Sequence, residues 1–188
     1  MAKKQLENLA LLQKLRETRE QNERDVLTGL YTRRYVDEQA NAFLSHYNKR
    51  SNDPDDISEK ACVIFLDIDH FKSINDTMGH SVGDAVLRQV AEALQSGVKR
   101  KGDIVARYGG EEFVVFLPDT DLDKAATVAE RLRLMVSESK SAVTISGGVV
   151  ECKPGETFDD ARKRADGELY QAKKNGRNQI VGGIPKAA

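Results

Sequence analysis

Arg107-Tyr108-Gly109-Gly110-Glu111-Glu112-Phe113 joins one apolar run, Ile104-Val105-Ala106, to another, Val114-Val115-Phe116-Leu117. Two β-rich runs on either side of a Gly-Gly pair predict a β-hairpin, because glycine takes the positive φ that a tight turn needs. This turn carries adjacent carboxylates, Glu111 and Glu112. Bare Cα atoms at Gly109 and Gly110 let a bulky ligand approach the backbone, and the acids beside them can hold a divalent cation. A turn built for structure alone more often uses Asn-Gly or Asp-Gly. Taken by itself, an acidic turn is as readily a solvated one, and a second acidic stretch decides between the two readings.

That stretch is Asp67-Ile68-Asp69, which ends the run from Ala61 to Ile68. The run is short, apolar and rich in β-formers, so it predicts a buried central strand. Alternation turns Asp67 and Asp69 to one side and Ile68 to the other. The ends of strands are where α/β sheets present their ligands. With the hairpin beside this strand, Asp67 and Glu111 converge as hard oxygen donors suited to Mg²⁺, and a cation offsets the repulsion of crowded carboxylates. His70-Phe71-Lys72-Ser73-Ile74-Asn75-Asp76 and Gly79-His80-Ser81-Val82-Gly83-Asp84 follow. Lys72 can neutralise a phosphate as a point charge. Asn75 and Asp84 can read a purine edge, since a carboxylate accepts the paired N–H donors of guanine and has no complement on adenine. Lys173, Lys174 and Arg177 flank Asn175-Gly176, where favourable charge at a helix C-terminus with a glycine cap is the plainer reading.

The rest of the chain frames these stretches. At 188 residues it suits one domain of ordinary size plus an extension. Apolar residues make up 39% and charged residues 31%, as in a soluble globular protein. A formal net charge of -1 argues against a general nucleic-acid or membrane-surface binder, either of which needs a basic excess. No apolar run approaches the roughly 20 residues of a membrane span. Met1-Ala2-Lys3-Lys4 leads into a polar helical pattern and not into a signal segment. Cys62 and Cys152 lie far apart, without metal-ligand spacing. The expectation is a cytoplasmic, reduced protein.

Residues Lys3 to Arg24 lack Gly and Pro and favour a helix, with Leu6, Leu9, Leu12 and Leu15 along one drifting stripe. Pairing with a second copy would bury so narrow a stripe. The division expected is 1–24 as a helical, coiled-coil type dimerisation linker, 25–182 as the folded domain and 183–188 as a tail, with a further region upstream in a longer protein. After the break at Asp25 to Leu30, helices are predicted from about Arg33 to Tyr47, Val82 to Leu94, Ala125 to Val136 and Thr157 to Lys174. Thr157 opens the last of these with a capping box. Strands are predicted at Ala61–Ile68, on both arms of the hairpin, at Val143–Val150 and at Gln179–Val181. Strands that alternate with helices but include a hairpin predict an α/β (α+β) sandwich on a mixed sheet, not a doubly wound parallel one.

Taken together, Asp25-x-Leu27-Thr28-Gly29-Leu30, Phe65-Leu66-Asp67-Ile68-Asp69-x-Phe71-Lys72-x-Ile74-Asn75-Asp76, Gly79-His80-x-x-Gly83-Asp84 and Arg107-Tyr108-Gly109-Gly110-Glu111-Glu112-Phe113 resemble the GGDEF domain of the diguanylate cyclases, over about Asp25 to Val181. Thr32 stands where the family usually has Asn, and Glu111 where its signature often has Asp. The resemblance implies a ferredoxin-like, nucleotidyl-cyclase palm fold and condensation of two GTP molecules to cyclic di-GMP with release of two pyrophosphates. It implies Mg²⁺ (or Mn²⁺) held by Asp67, the Ile68 backbone carbonyl, Glu111 and Glu112. Glu111 and Lys72 would serve catalysis. Phe71, Asn75, His80 and Asp84 would line the guanine site, Lys72, Lys173 and Arg177 would hold phosphates, and Gly109 and Gly110 would leave room for the nucleotide. A cyclic product of two nucleotides requires two facing sites and hence a homodimer, whose geometry an upstream sensor can alter through the N-terminal helix. Arg100-Lys101-Gly102-Asp103 matches the Arg-x-x-Asp pattern that this family uses for product inhibition, with Arg131 as the third member. The alternative is a catalytically silent module that binds GTP or cyclic di-GMP.

Overall fold

The computed structural model describes residues 23–50 and 60–183. Nearly all of the predicted N-terminal helix, the loop from Ser51 to Asp56 and residues 184–188 therefore lie outside the described residues. In chain order the elements are β1 (Tyr31–Thr32), α1 (Arg33–Arg50), β2 (Ala61–Ile68), α2 (Phe71–Met78), α3 (His80–Gly97), β3 (Ile104–Gly109), β4 (Glu112–Pro118), α4 (Leu122–Ser137), β5 (Ile145–Glu151), α5 (Phe158–Lys174) and β6 (Ile180–Val181).

Every residue of β2 is buried, as its continuous apolar run requires. It occupies the interior of a six-stranded sheet ordered β1-β3-β4-β2-β5-β6. β2 is antiparallel to both β4 and β5, β3 and β4 form the hairpin, and β1 and β6 add parallel edges on β3 and β5. The sheet is mixed, as expected. Alternation along β2 divides the core. Cys62, Ile64, Leu66 and Ile68 pack with Val90 and Leu94 of α3 and Ala129 and Leu132 of α4. Ala61, Val63 and Phe65 pack with Val36, Ala40 and Leu44 of α1 and Phe158, Ala165 and Leu169 of α5. Each large side chain buried in these layers contributes about 1.5–3 kcal/mol.

Local chemistry sets the helix starts. Thr157 and Asp160 form the predicted capping box at the head of α5, and Asp121 caps α4 by accepting from the Lys124 backbone N–H. Three features differ from the expectation. The hairpin turn is Gly110-Glu111 and not Gly109-Gly110: Gly109 still pairs with Glu112, after an irregularity in register between Arg107 and Gly109. Gly110 takes the positive φ, 48°. α2 was not predicted. It is a short, largely exposed helix that opens behind His70 in the left-handed region, without a side-chain cap to mark its start. β1 is too short to leave a periodic signal.

Candidate active site at the end of the central strand

The register of β2 against β4 sets Asp67 opposite Glu112. Alternation along both strands turns the two carboxylates toward α5, because Phe65 and Val114, two residues away on each strand, lie in the α1–α5 core. The Ile68 N–H donates to the Glu111 carbonyl across 3.3 Å, which closes the hairpin turn onto the end of β2. Asp67, Glu111 and Glu112 thus meet where the central strand ends. Lys173, in the last turn of α5, places its Nζ 2.9 Å from Asp67 Oδ1.

The electrostatics record the crowding. Burial pushes the Asp67 carboxyl up to about 6; the Lys173 ammonium lowers it, and the charges of Glu111 and Glu112 raise it further. Burial also raises Glu112, with Asp166 and Glu111 adding to the effect and Lys173 and Arg162 opposing it. Among the described residues no group of three or more His, Cys, Asp or Glu is already arranged to hold a metal ion. The donor set nonetheless fits one. Burial first, and then the charges of Glu111 and Glu112, make the ionised Asp67 costly; a hard divalent cation relieves that cost, and Lys173 supplies part of the positive charge.

Asp69 has a different job. Its carboxylate accepts from Thr144 Oγ1 (2.7 Å), Ser146 Oγ (2.7 Å) and the Asn178 backbone N–H (3.0 Å), and so ties the end of β2 to β5 and to the segment after α5. With three donors satisfied it is a structural acid.

The predicted guanine readers sit on the other layer. Asn75 in α2 and Asp84 in α3 are half-buried, and among the described residues no hydrogen bond occupies either side chain. Phe71 is buried in the core shared with α3, so its ring supports this corner from below. A nucleotide that reaches both Asp84 and the acids must cross the end of β2. Lys72, His80 and Arg177 are exposed, and no ion pair or hydrogen bond among the described residues joins their side chains to the acids. Arg177 follows Gly176, which takes a φ of 114° behind α5, and its own N–H returns to the Ala172 carbonyl as a helix terminus of this kind requires. Gly109 and Gly110 are exposed, with open space where a side chain would stand.

Arg100, Asp103 and Arg131 line one cavity of about 350 Å³ with Lys99, Thr120 and Lys124. Arg100 donates from Nη1 to Thr120 Oγ1 (2.8 Å), and Arg131 donates from Nη2 to the Gly97 carbonyl (2.7 Å).

The sequence reading missed Arg107 as a functional residue. Its Nε and Nη2 both donate to the Gly110 carbonyl, at 2.9 and 2.8 Å. Its Nη1 reaches Asp25 Oδ1 at 3.2 Å, and Asp25 in turn accepts from the N–H and hydroxyl of Thr28. Both residues stood in the quoted motifs, but a pairing across so much intervening chain leaves no trace in a single sequence.

A family model described as diguanylate cyclase, GGDEF domain, matches residues 22–179. The chain belongs to the GGDEF-domain diguanylate cyclase family. The response regulator PleD of Caulobacter vibrioides is 45% identical over 168 residues, which cover 84% of this chain and 35% of PleD. Diguanylate cyclase DgcM of Escherichia coli is 43% identical over 129 residues, covering 66% of this chain and 31% of DgcM. The chain therefore spans about a third of the length of these relatives. Among solved structures, the coiled coil and GGDEF domain of DgcB from Caulobacter crescentus, in complex with cyclic di-GMP, superposes with a TM-score of 0.84 at 33% identity, covering 96% of this chain and 95% of that one. The active GGEEF domain of a diguanylate cyclase from Vibrio cholerae has a TM-score of 0.72 at 31% identity, covering 84% and 99%. These matches establish the nucleotidyl-cyclase palm fold for this GGDEF domain. The second also bears the Glu-Glu form of the signature found here at Glu111-Glu112. Among the described residues no helix is long and apolar enough to cross a membrane.

Proposed function

We propose that this domain is a diguanylate cyclase that condenses two GTP molecules into cyclic di-GMP and two pyrophosphates across a homodimer. The observation that carries the reading is the meeting of Asp67, Glu111 and Glu112 at the end of β2, beside the Gly109-Gly110 opening. Each 3′-hydroxyl attacks the α-phosphorus of the opposite nucleotide, forming a P–O bond as the bond to pyrophosphate breaks. Positioning and charge neutralisation supply most of the rate in such in-line displacements. Asp67, the Ile68 carbonyl, Glu111 and Glu112 would hold Mg²⁺, or Mn²⁺, which supplies Lewis-acid stabilisation of the phosphate oxygens. Glu111, carried at the turn itself, is placed to take up the proton of the 3′-hydroxyl. Asp84 and Asn75 select guanine, with His80 at their edge and Phe71 beneath. Lys72, at the head of α2, and Arg177 are free to meet phosphate oxygens. Lys173 has two tasks in this scheme: it neutralises Asp67 now, and it turns to phosphate when a cation takes its place.

Arg100, Asp103 and Arg131, which line one cavity, would form the product-inhibition site. Guanidinium groups pair with phosphate and stack on guanine, and a carboxylate accepts from the guanine edge. An upstream sensor in a longer protein would control the domain through residues 1–24.

Incubation of the purified protein with GTP and Mg²⁺, with nucleotides resolved by chromatography, tests the reading. Cyclic di-GMP from the parent and at least a hundredfold less from Glu111→Gln is the expected result. No product, at concentrations that force dimers, would instead leave a nucleotide-binding module without turnover.

A further inference from the structure

Gly83 belongs to one of the quoted motifs, yet no role has attached to it. It lies in the first turn of α3, buried, with an ordinary right-handed helical backbone. Nothing in that conformation demands glycine, and glycine inside a helix is destabilising relative to alanine. The reason for its presence lies in what surrounds the missing side chain. A Cβ at this position would overlap Asn75 Oδ1, stand 3.0 Å from Asn75 Cγ and 3.3 Å from Phe71 Cζ. The bare Cα is the surface against which the Asn75 carboxamide rests.

We infer that Gly83 is a positioning residue for guanine recognition: its missing side chain leaves the room that the Asn75 carboxamide occupies where the nucleotide meets it. This rests on the guanine-reading role proposed above. Other close glycines mark the contrast. A Cβ at Gly148 would drive into the backbone of α5 at Ala165 and Leu169, which cannot yield without moving a helix. At Gly83 the obstacle is the end of a short polar side chain on a largely exposed helix, and no hydrogen bond among the described residues fixes that side chain. Asn75 can rotate away at little cost, so the fold survives and the recognition geometry does not. Phe71 is the lesser obstacle, since its ring tip needs to give by only a few tenths of an ångström.

Gly83→Ala should therefore separate fold from affinity. The expected result is a KM for GTP about tenfold above the parent's, consistent with the loss of one hydrogen bond to the substrate, with kcat within about threefold and a melting temperature equal to or above the parent's. The route through Asn75 is tested by a double-mutant cycle. In an Asn75→Ala background, Gly83→Ala should raise KM less than twofold further, because the group it displaces is already gone. A Gly83→Ala variant with the parent's KM overturns the inference, as does one whose melting temperature and kcat collapse together, or one whose effect persists undiminished beside Asn75→Ala. A parent that neither binds nor turns over GTP overturns the proposed function and this inference with it. A parent that turns over GTP while the variant matches it overturns the inference alone.

Discussion

Asp103 is half-buried, and its Oδ1 is fully enclosed without a hydrogen-bond partner among the described residues. Burial raises its carboxyl above the usual range, while Arg100 and Arg131 pull it back. An enclosed carboxylate oxygen with no donor costs about 1–3 kcal/mol. A guanine edge, with paired N–H donors, would satisfy it if the carboxylate turned that oxygen into the cavity. Arg100 has its guanidinium on the Thr120 hydroxyl, itself buried and hydrogen-bonded to the Pro118 carbonyl, so the arginine is held at the mouth of the cavity. Arg100→Ala should raise the inhibition constant for cyclic di-GMP at least tenfold, measured as initial rate against added product. Equal inhibition of variant and parent would place the product site elsewhere. At this scale the convergence of Asp67 with Glu111 was legible, because alternation along β2 and a hairpin beside it bring both acids to one strand end. What could not be read was partnership. Lys173 was expected on phosphate and is found on Asp67, and Asp69 was one of an acid pair until Thr144, Ser146 and Asn178 claimed it.

Among the elements, the hairpin is held from outside as well as by its own ladder. Arg107 clamps the Gly110 carbonyl with two donors and carries the Asp25–Thr28 turn on a third, so the segment that enters the domain and the acidic turn share one side chain. The pair is largely shielded, with side-chain exposures of 17% for Arg107 and 25% for Asp25, so it is worth more than an open surface ion pair. Burial alone would raise the Asp25 carboxyl, but hydrogen bonds from Thr28 and the charge of Arg107 outweigh it and hold the group below its usual value. A depressed carboxylate stabilises the fold above its unfolded pKa of 3.8, and that contribution is lost as pH falls through the folded value. Arg107→Ala should cost about 1–3 kcal/mol of unfolding free energy at neutral pH and lower turnover by loosening the turn. The loss should shrink as pH falls below about 4, where Asp25 of the unfolded chain protonates, and should be smallest once pH is below the depressed folded value. Denaturant unfolding at neutral and acid pH checks this, and an equal loss at both would show that the Asp25 pair contributes nothing. Elements with a period or a cap, such as β2, α4 and α5, were legible in the sequence. α2 was not, because its two polar turns are too short to show a period and follow a left-handed His70 that offers no side-chain cap.

For the molecule as a whole, the proposed cyclic product would set a requirement that no single copy meets. One domain would offer one set of acids and one guanine corner, and two 3′-hydroxyl attacks in opposite senses would need two sites brought face to face. If the domain from residue 23 onward is monomeric, encounter limits the reaction, and the rate rises with the square of protein concentration. If residues 1–22 pair two copies, the local concentration of the partner site is fixed by the linker and the rate becomes proportional to concentration. The narrow stripe of Leu6, Leu9, Leu12 and Leu15 in the sequence would support only weak pairing. Comparison of the full chain with a version that begins at residue 23 decides the matter. The logarithm of rate against the logarithm of concentration should have a slope near one for the full chain above its dimerisation constant and near two for the shortened one. Sedimentation should report dimer and monomer over the same range. Slopes that coincide near one would place the pairing surface within the folded domain. Slopes that coincide near two would leave residues 1–22 without a role in assembly.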